Sequence, residues 1–205
     1  DSSTSRGLGD VYKRQVSGSK RVGGWQLVIF VGLSIALTLV SWRSLGNPRS
    51  HGFYRYFAWE VMLVMLVLNA PFWFEDRAAL HQQISWVLLT SSLAVLFAGI
   101  HQMRRFGRAN EQRQDDELFA FERTSQLVTS GIFGYIRHPM YCSLLLLAWG
   151  IAWKQPGVLV MLLAVVSSVL LWLAARVEER ESLAYFGDAY RDYMARSRMF
   201  VPFIF

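Results

Sequence analysis

Residues 137–141 read Arg-His-Pro-Met-Tyr, a guanidinium and an imidazole set directly ahead of a proline that opens an apolar run. Proline suits the first turn of a helix, where its missing N–H would have no partner anyway. It also disfavours helical geometry at the preceding residue, which makes His138 the expected N-cap. The amides that follow carry the positive end of the helix dipole. Arg137, His138 and those amides therefore make a place where an anionic group could settle. The bland alternative is that Arg137 marks topology and His138 merely starts a helix.

A second polar cluster, Glu178-Glu179-Arg180-Glu181, follows the next apolar run. Glu178 and Glu181 share one helix face at i,i+3. Glu181 reads as part of a solvated helix end with local ion pairs, and Glu178 as the functional carboxylate. Two ionisable clusters at the ends of one hydrophobic hairpin point to a site built at a membrane surface. Glu60 lies early in another apolar run, where a carboxylate either works or pairs with an Arg of the neighbouring loop. Asn69 and Pro71 read as residues that kink and knit the bundle.

These residues need a scaffold, and composition indicates which. The chain has 205 residues, 53% hydrophobic and 18% charged, against about a quarter charged in a soluble domain. The apolar residues fall in blocks, as in an integral membrane protein. A lone Cys142 excludes an intramolecular disulfide and a cysteine-based zinc cluster. His51, His81, His101 and His138 show no i,i+4 pairing, so no metal is expected. The net charge of +6 lies in loops beside apolar segments rather than in a basic, aromatic-interleaved surface. No nucleic-acid partner is expected.

Five apolar segments can be read, near residues 24–42, 57–74, 84–100, 139–153 and 158–175. All but the fourth approach the length needed to cross a hydrocarbon core of about 30 Å. Lys154-Gln155-Pro156-Gly157 is a turn signal, so the fourth and fifth should pair as an antiparallel hairpin. Trp25, Trp42, Trp59, Trp73, Trp86, Trp153 and Trp172 sit near segment ends, as interfacial anchors would. Arg43, Arg49 and Arg55 follow the first segment. Further arginines lie between the third and fourth and after the fifth. By the positive-inside rule these three regions face the cytoplasm, with the N-terminus outside.

The expected fold is all-α, a polytopic membrane bundle of about five transmembrane helices with a C-terminal helical hairpin. A cytoplasmic amphipathic tail, carrying Phe186, Tyr190, Tyr193 and residues 201–203, would lie over the mouth. Residues 1–22 form an N-terminal segment partly non-native in appearance and are set aside. Residues 23–126 hold the first three helices and a loop, and residues 127–205 the core that carries both clusters.

The pattern Leu-Val-Thr-Ser-Gly…Arg-His-Pro-x-Tyr, then Glu-Glu, Phe-Gly, Tyr, Tyr and a late Pro, resembles the isoprenylcysteine carboxyl methyltransferase family. Related membrane phospholipid methyltransferases share part of it. The resemblance covers about Leu127 to Pro202. It implies an S-adenosylmethionine-dependent methyltransferase, with cofactor reaching the cytoplasmic face and a lipophilic acceptor entering from the bilayer. Carried over, Leu127, Val128, Phe133, His138, Pro139, Met140, Tyr141 and Glu178 would bind the cofactor, while Arg137, His138 and Glu178 would be catalytic. Phe133 stands where many members have Tyr, and Ala174 where eukaryotic members place a substrate-contacting arginine. Arg176 is the nearest basic group to it.

The expected location is a bacterial cytoplasmic membrane, with the site facing the cytoplasm. Methyl acceptors of other kinds, a phospholipid amine or a small thiol, fit the same motifs. A reading of another class is a non-catalytic membrane binding protein or transporter using the Arg137/Glu178 region.

Overall fold

The structure is a computed structural model that describes residues 23–107 and 126–201. Residues 1–22, much of the basic loop after the third apolar segment, and Pro202 and Phe203 of the tail lie outside the described residues. Among the described residues, six α-helices follow in order: α1 Gly24–Leu45, α2 His51–Asn69, α3 Leu80–Phe106, α4 Pro139–Ala152, α5 Val158–Phe186 and α6 Asp188–Arg196. Short 3-10 turns occupy Ala70–Phe72 and Gly131–Gly134. Among the described residues the sole strand-like feature is an isolated parallel bridge between Ile136 and Arg198.

Among the described residues, four helices are long and apolar enough to cross a membrane: Gly24–Leu45, His51–Phe72, Leu80–Phe106 and Val158–Phe186. The fourth apolar segment is the short one, with α4 spanning 14 residues, or about 21 Å at 1.5 Å per residue. The reason lies at its start. Pro139 opens α4 beside Gly99 of α3, where a β-carbon would stand 3.5 Å from the proline ring. α3 runs on to Phe106, about 10 Å further. The bundle is therefore recessed at this end by the depth that a full-length α4 would have filled.

α2 starts earlier than hydropathy suggests. Ser50 caps it by accepting a hydrogen bond from the Phe53 N–H at 3.3 Å. Arg55 thus lies inside a helix, not in the loop after the first span as expected. α5 runs beyond its apolar stretch to a total length of 29 residues, because nothing breaks it before Gly187, which sits at φ 59°. That left-handed geometry suits glycine and turns the chain into α6.

The most extensive pairings are α2 with α5 and α3 with α4, and α1 lies on α2. The α4–α5 hairpin also packs together, though less extensively. Small residues make the close approaches. Ala58 on α2 meets Ala174 and Ala175 on α5 in a fully buried cluster with Leu171 and Tyr141. Gly150 on α4 fits against Leu89, whose Cδ2 would stand 2.8 Å from any added β-carbon. Polar side chains fasten the same seam. Ser85 donates to the Gly150 carbonyl at 2.6 Å, Ser92 to that of Ser143 at 2.8 Å, and Asn69 to that of Ile151 at 2.6 Å. Asn69 therefore knits the bundle as its position suggested. Glu60 is held by Ser34 of α1 at 2.9 Å and 3.0 Å, rather than by a loop arginine.

The end opposite the recess is closed around Lys154, which is fully buried. Its ammonium donates to Gln82 at 3.1 Å and lies 3.5 Å from the Trp86 ring centroid. Trp73 and Trp86 thus wall in a cation here as well as lying near helix ends. Gly150→Ala should cost about 1–3 kcal/mol through overpacking against Leu89. Thermal unfolding of the detergent-solubilised protein measures this; an unchanged midpoint would rule out the tight α3–α4 contact.

Candidate functional site

The segment leading into α4 is extended backbone at the recessed end, and its polar groups need partners. They find them in the residues after α6. Arg137 N–H donates to the Arg198 carbonyl at 2.7 Å, His138 N–H to that of Met199 at 3.2 Å, and Arg198 N–H to that of Tyr135 at 3.1 Å. The Arg137 side chain completes the clamp. Its Nε donates to Glu179 Oε1 at 2.8 Å, and its Nη1 to the carbonyls of Met194 at 3.2 Å and Ser197 at 2.5 Å. Two of these acceptors are carbonyls around the C-terminus of α6, which the helix itself leaves unsatisfied. Tyr193 on α6 donates to the Phe133 carbonyl at 2.6 Å.

His138 is the N-cap of α4, as its place before Pro139 predicts, though its side chain makes no capping bond. The buried imidazole stands between two carboxylates, Nδ1 3.8 Å from Glu178 and Nε2 3.5 Å from Glu179. At these separations neither contact is a good hydrogen bond, and His138 Nε2 is buried without a partner. Glu179 is itself buried at 3% exposure. Its main partner is Arg137, a role that sequence spacing did not separate from that of Glu178.

Glu181 differs from its expected role as a solvated helix end with local ion pairs. It reaches across to the start of α2, where His51 Nδ1 lies 2.5 Å from Oε2 and the His51 N–H donates to Oε1 at 3.2 Å. Its partner is 130 residues distant, so no local pattern could have revealed it.

Two adjoining cavities occupy the recess and share a wall of Met103, Phe133, Arg137, His138, Met140 and Glu178. The first, of about 150 Å³, also meets Arg55, Trp59, Leu96, Pro139, Tyr141 and Leu144. The second also meets Leu127, Val128, Glu181, Ser182, Phe186, Tyr190 and Tyr193. Every residue singled out in the sequence as catalytic or cofactor-binding thus lines one cavity or the other. Burial, then the Glu178 and Glu179 carboxylates, push the Tyr190 phenol well above its ordinary pKa. Burial does the same to Tyr193. Both remain neutral hydroxyl groups at physiological pH.

Sequence reasoning missed Arg55, Trp59, Leu96 and Met103 in the first cavity. Trp59 was read as an interfacial anchor and Arg55 as a loop charge. A capping serine five residues before Arg55 was the available signal. Arg176 does not reach the site; it is exposed and stacks on Trp172 at 5.9 Å. Ala174 is fully buried between helices. Among the described residues no group of three or more His, Cys, Asp or Glu could hold a metal ion.

A bundle with four helices of membrane-crossing length, hollowed at one end into paired cavities, defines a multi-pass membrane protein with a recessed site. The signature of the phospholipid methyltransferase family matches residues 83–189, and the chain belongs to that family. It is similar to methanethiol S-methyltransferase 1 of Bradyrhizobium diazoefficiens, 25% identical over 192 residues, 90% of this chain and 56% of that protein. It is also similar to methanethiol S-methyltransferase 2 of the same organism, 35% identical over 74 residues, 36% of this chain and 28% of that protein. A methanethiol S-methyltransferase of Crocosphaera subtropica is 30% identical over 78 residues, 37% of this chain and 29% of that protein. The chain spans little more than half the length of the first of these relatives. No solved structure matches it.

Glu179→Ala should destabilise the protein by about 3–5 kcal/mol, the cost of leaving the buried Arg137 unpaired. Arg137→Ala should cost at least as much, because it also strips donors from Met194 and Ser197. Denaturant or thermal unfolding in detergent measures both, and near-wild-type stability of either variant would count against the clamp.

Proposed function

We propose that this chain is an integral membrane methyltransferase that uses S-adenosylmethionine to methylate a lipophilic acceptor. The observation that carries the reading is the pair of adjoining cavities on either side of His138 and Glu178. The second cavity suits the cofactor. Glu178 and Glu181 offer carboxylates, Tyr190 and Ser182 offer hydroxyls, and Leu127, Val128 and Phe186 offer an apolar rim. The buried, unpartnered His138 Nε2 is an atom that a polar ligand would satisfy. These residues fit such a group.

S-adenosylmethionine, when bound, supplies a methyl group already activated by its sulfonium. The protein then has to align donor and acceptor and exclude water. Glu178 faces both cavities and would hold the cofactor's polar groups. His138 would fix its reacting end at the shared wall. Arg137 lines the wall as well, and its bonds to Glu179 and the α6 terminus suit it to hold His138 in place.

The acceptor would arrive through the apolar groove of about 570 Å³ between α1, α2, α3 and α4, which meets the first cavity at Trp59 and Leu144. A specific observation favours a small acceptor: the first cavity is compact, and the relatives' names describe methylation of methanethiol. A neutral thiol of that size is itself lipophilic and could travel through the groove. The topology that accompanies this reading places the cavities on the cytoplasmic side of a bacterial cytoplasmic membrane.

Isothermal titration with S-adenosylmethionine tests the reading. Wild-type protein should bind, and His138→Ala and Glu178→Ala should each weaken binding by about tenfold or more, at 1.4 kcal/mol per decade. Wild-type protein that takes up no S-adenosylmethionine would end it.

A further inference from the structure

The lipid-facing groove and the first cavity are neighbours, and helices α2, α3 and α4 line both. On α4 the groove runs along Leu144, Leu147 and Ile151, a single helical stripe. On α3 Leu93 faces the groove, and Leu96, less than one turn further on, faces the cavity. Trp59 of α2 and Leu144 of α4 line both spaces, so their side chains form the wall between them. Leu144 is backed by the core, packed on the buried cluster that contains Ala58, Tyr141 and Leu171. The groove measures about 570 Å³ and the cavity about 150 Å³.

We infer that Leu144 and Trp59 form a size filter, which admits short thiols to the first cavity and keeps long-chain lipids out of it. The inference rests on the methyltransferase reading above and names its substrate class: thiols small enough to lie wholly inside that cavity. The wall with His138 and Glu178 is shared with the second cavity, on the cofactor side. An acceptor must turn its sulfur to that wall, which leaves its alkyl group among Leu96, Leu144 and Trp59.

Volume sets the limit. A cavity of about 150 Å³ in an apolar interior holds a molecule the size of benzene, about six non-hydrogen atoms. A short thiol passes the wall whole and lets it close again. A longer chain would have to stay threaded between Leu144 and Trp59, holding apart side chains that otherwise pack closely.

Hydrophobic partitioning acts in the opposite direction. Each added methylene concentrates a thiol in the bilayer by about fourfold. A site without a filter would therefore methylate long thiols fastest at a given aqueous concentration. The filter has a distinct signature, turnover that falls with chain length while the local concentration rises.

The test uses the full chain in liposomes with S-adenosylmethionine and straight-chain thiols from methanethiol to dodecanethiol, with phosphatidylethanolamine as a lipid arm. For wild type, kcat/KM referred to the thiol concentration in the bilayer should hold up to about six non-hydrogen atoms. Beyond that length it should drop by about tenfold or more, the discrimination an apolar pocket gives per misfitting methylene. Leu144→Ala should raise the dodecanethiol-to-methanethiol ratio of kcat/KM by about tenfold or more. Leu144→Phe should move the limit to shorter thiols.

A second readout needs no turnover. A ligand that binds only the folded protein raises its unfolding temperature. Butyl methyl sulfide should raise the midpoint of wild type, whereas dodecyl methyl sulfide should do so only for Leu144→Ala. Wild-type preference for dodecanethiol or phosphatidylethanolamine overturns the inference, as does a chain-length profile that Leu144→Ala leaves unmoved. Should Leu144→Ala fail to fold, the wild-type profile and its shift in Leu144→Phe decide the matter. Wild-type protein that binds no S-adenosylmethionine overturns the underlying methyltransferase reading instead.

Discussion

The site depends on one constraint: a stretch of non-helical backbone lies at the recessed end of an apolar bundle, and every polar group in it needs a partner. Residues 135–138 meet that need by pairing with residues 198 and 199. The Arg137 side chain then joins α5, through Glu179, to the carbonyls at the end of α6. Without this clamp the segment would have no fixed path, and His138 would not be held between two carboxylates. The buried ion pair adds little net stability of the kind that hydrophobic packing supplies; what it specifies is geometry.

A second consequence follows from where α4 begins. Proline cannot extend a helix backward without a lost hydrogen bond and a steric clash. The helix therefore starts alongside Gly99 of α3 rather than at the bundle's end. The missing turns leave the recess, and the clamped segment divides it into two cavities with a common wall. One is more polar and bounded by α5, α6 and residues 127–128. The other is mainly apolar and meets a groove open to lipid. The reaction proposed above, between a water-soluble donor and a membrane-soluble acceptor, would use that division, since each partner would arrive from a different phase.

The three acidic residues on α5 show how burial and contact separate groups that sequence presents together. Glu179 is committed to Arg137 and Glu181 to His51, while Glu178 borders both cavities. Helical geometry explains the division. Successive residues project about 100° apart, so a run of acids at the edge of a bundle is distributed among a core contact, a cavity and a neighbouring helix.

By itself the sequence determined the helical class, the turn at residues 154–157, the N-cap at His138 and the set of motif residues around the recess. The first three follow from hydropathy, turn signals and proline chemistry, which are properties of neighbours along the chain, and the motif residues from the family resemblance. It also made the fourth segment conspicuously short. Tertiary structure decided what space that shortness leaves, which carboxylate is committed to Arg137, and that Arg55 lines the first cavity. Arg55 is more than 80 residues from the motif in sequence and was hidden by an assumed loop, because an arginine at a helix start looks the same whether it faces water or a cavity. Pairings such as His51 with Glu181 and Arg137 with Ser197 depend on which helices lie side by side, and no periodicity within a single segment carries that information.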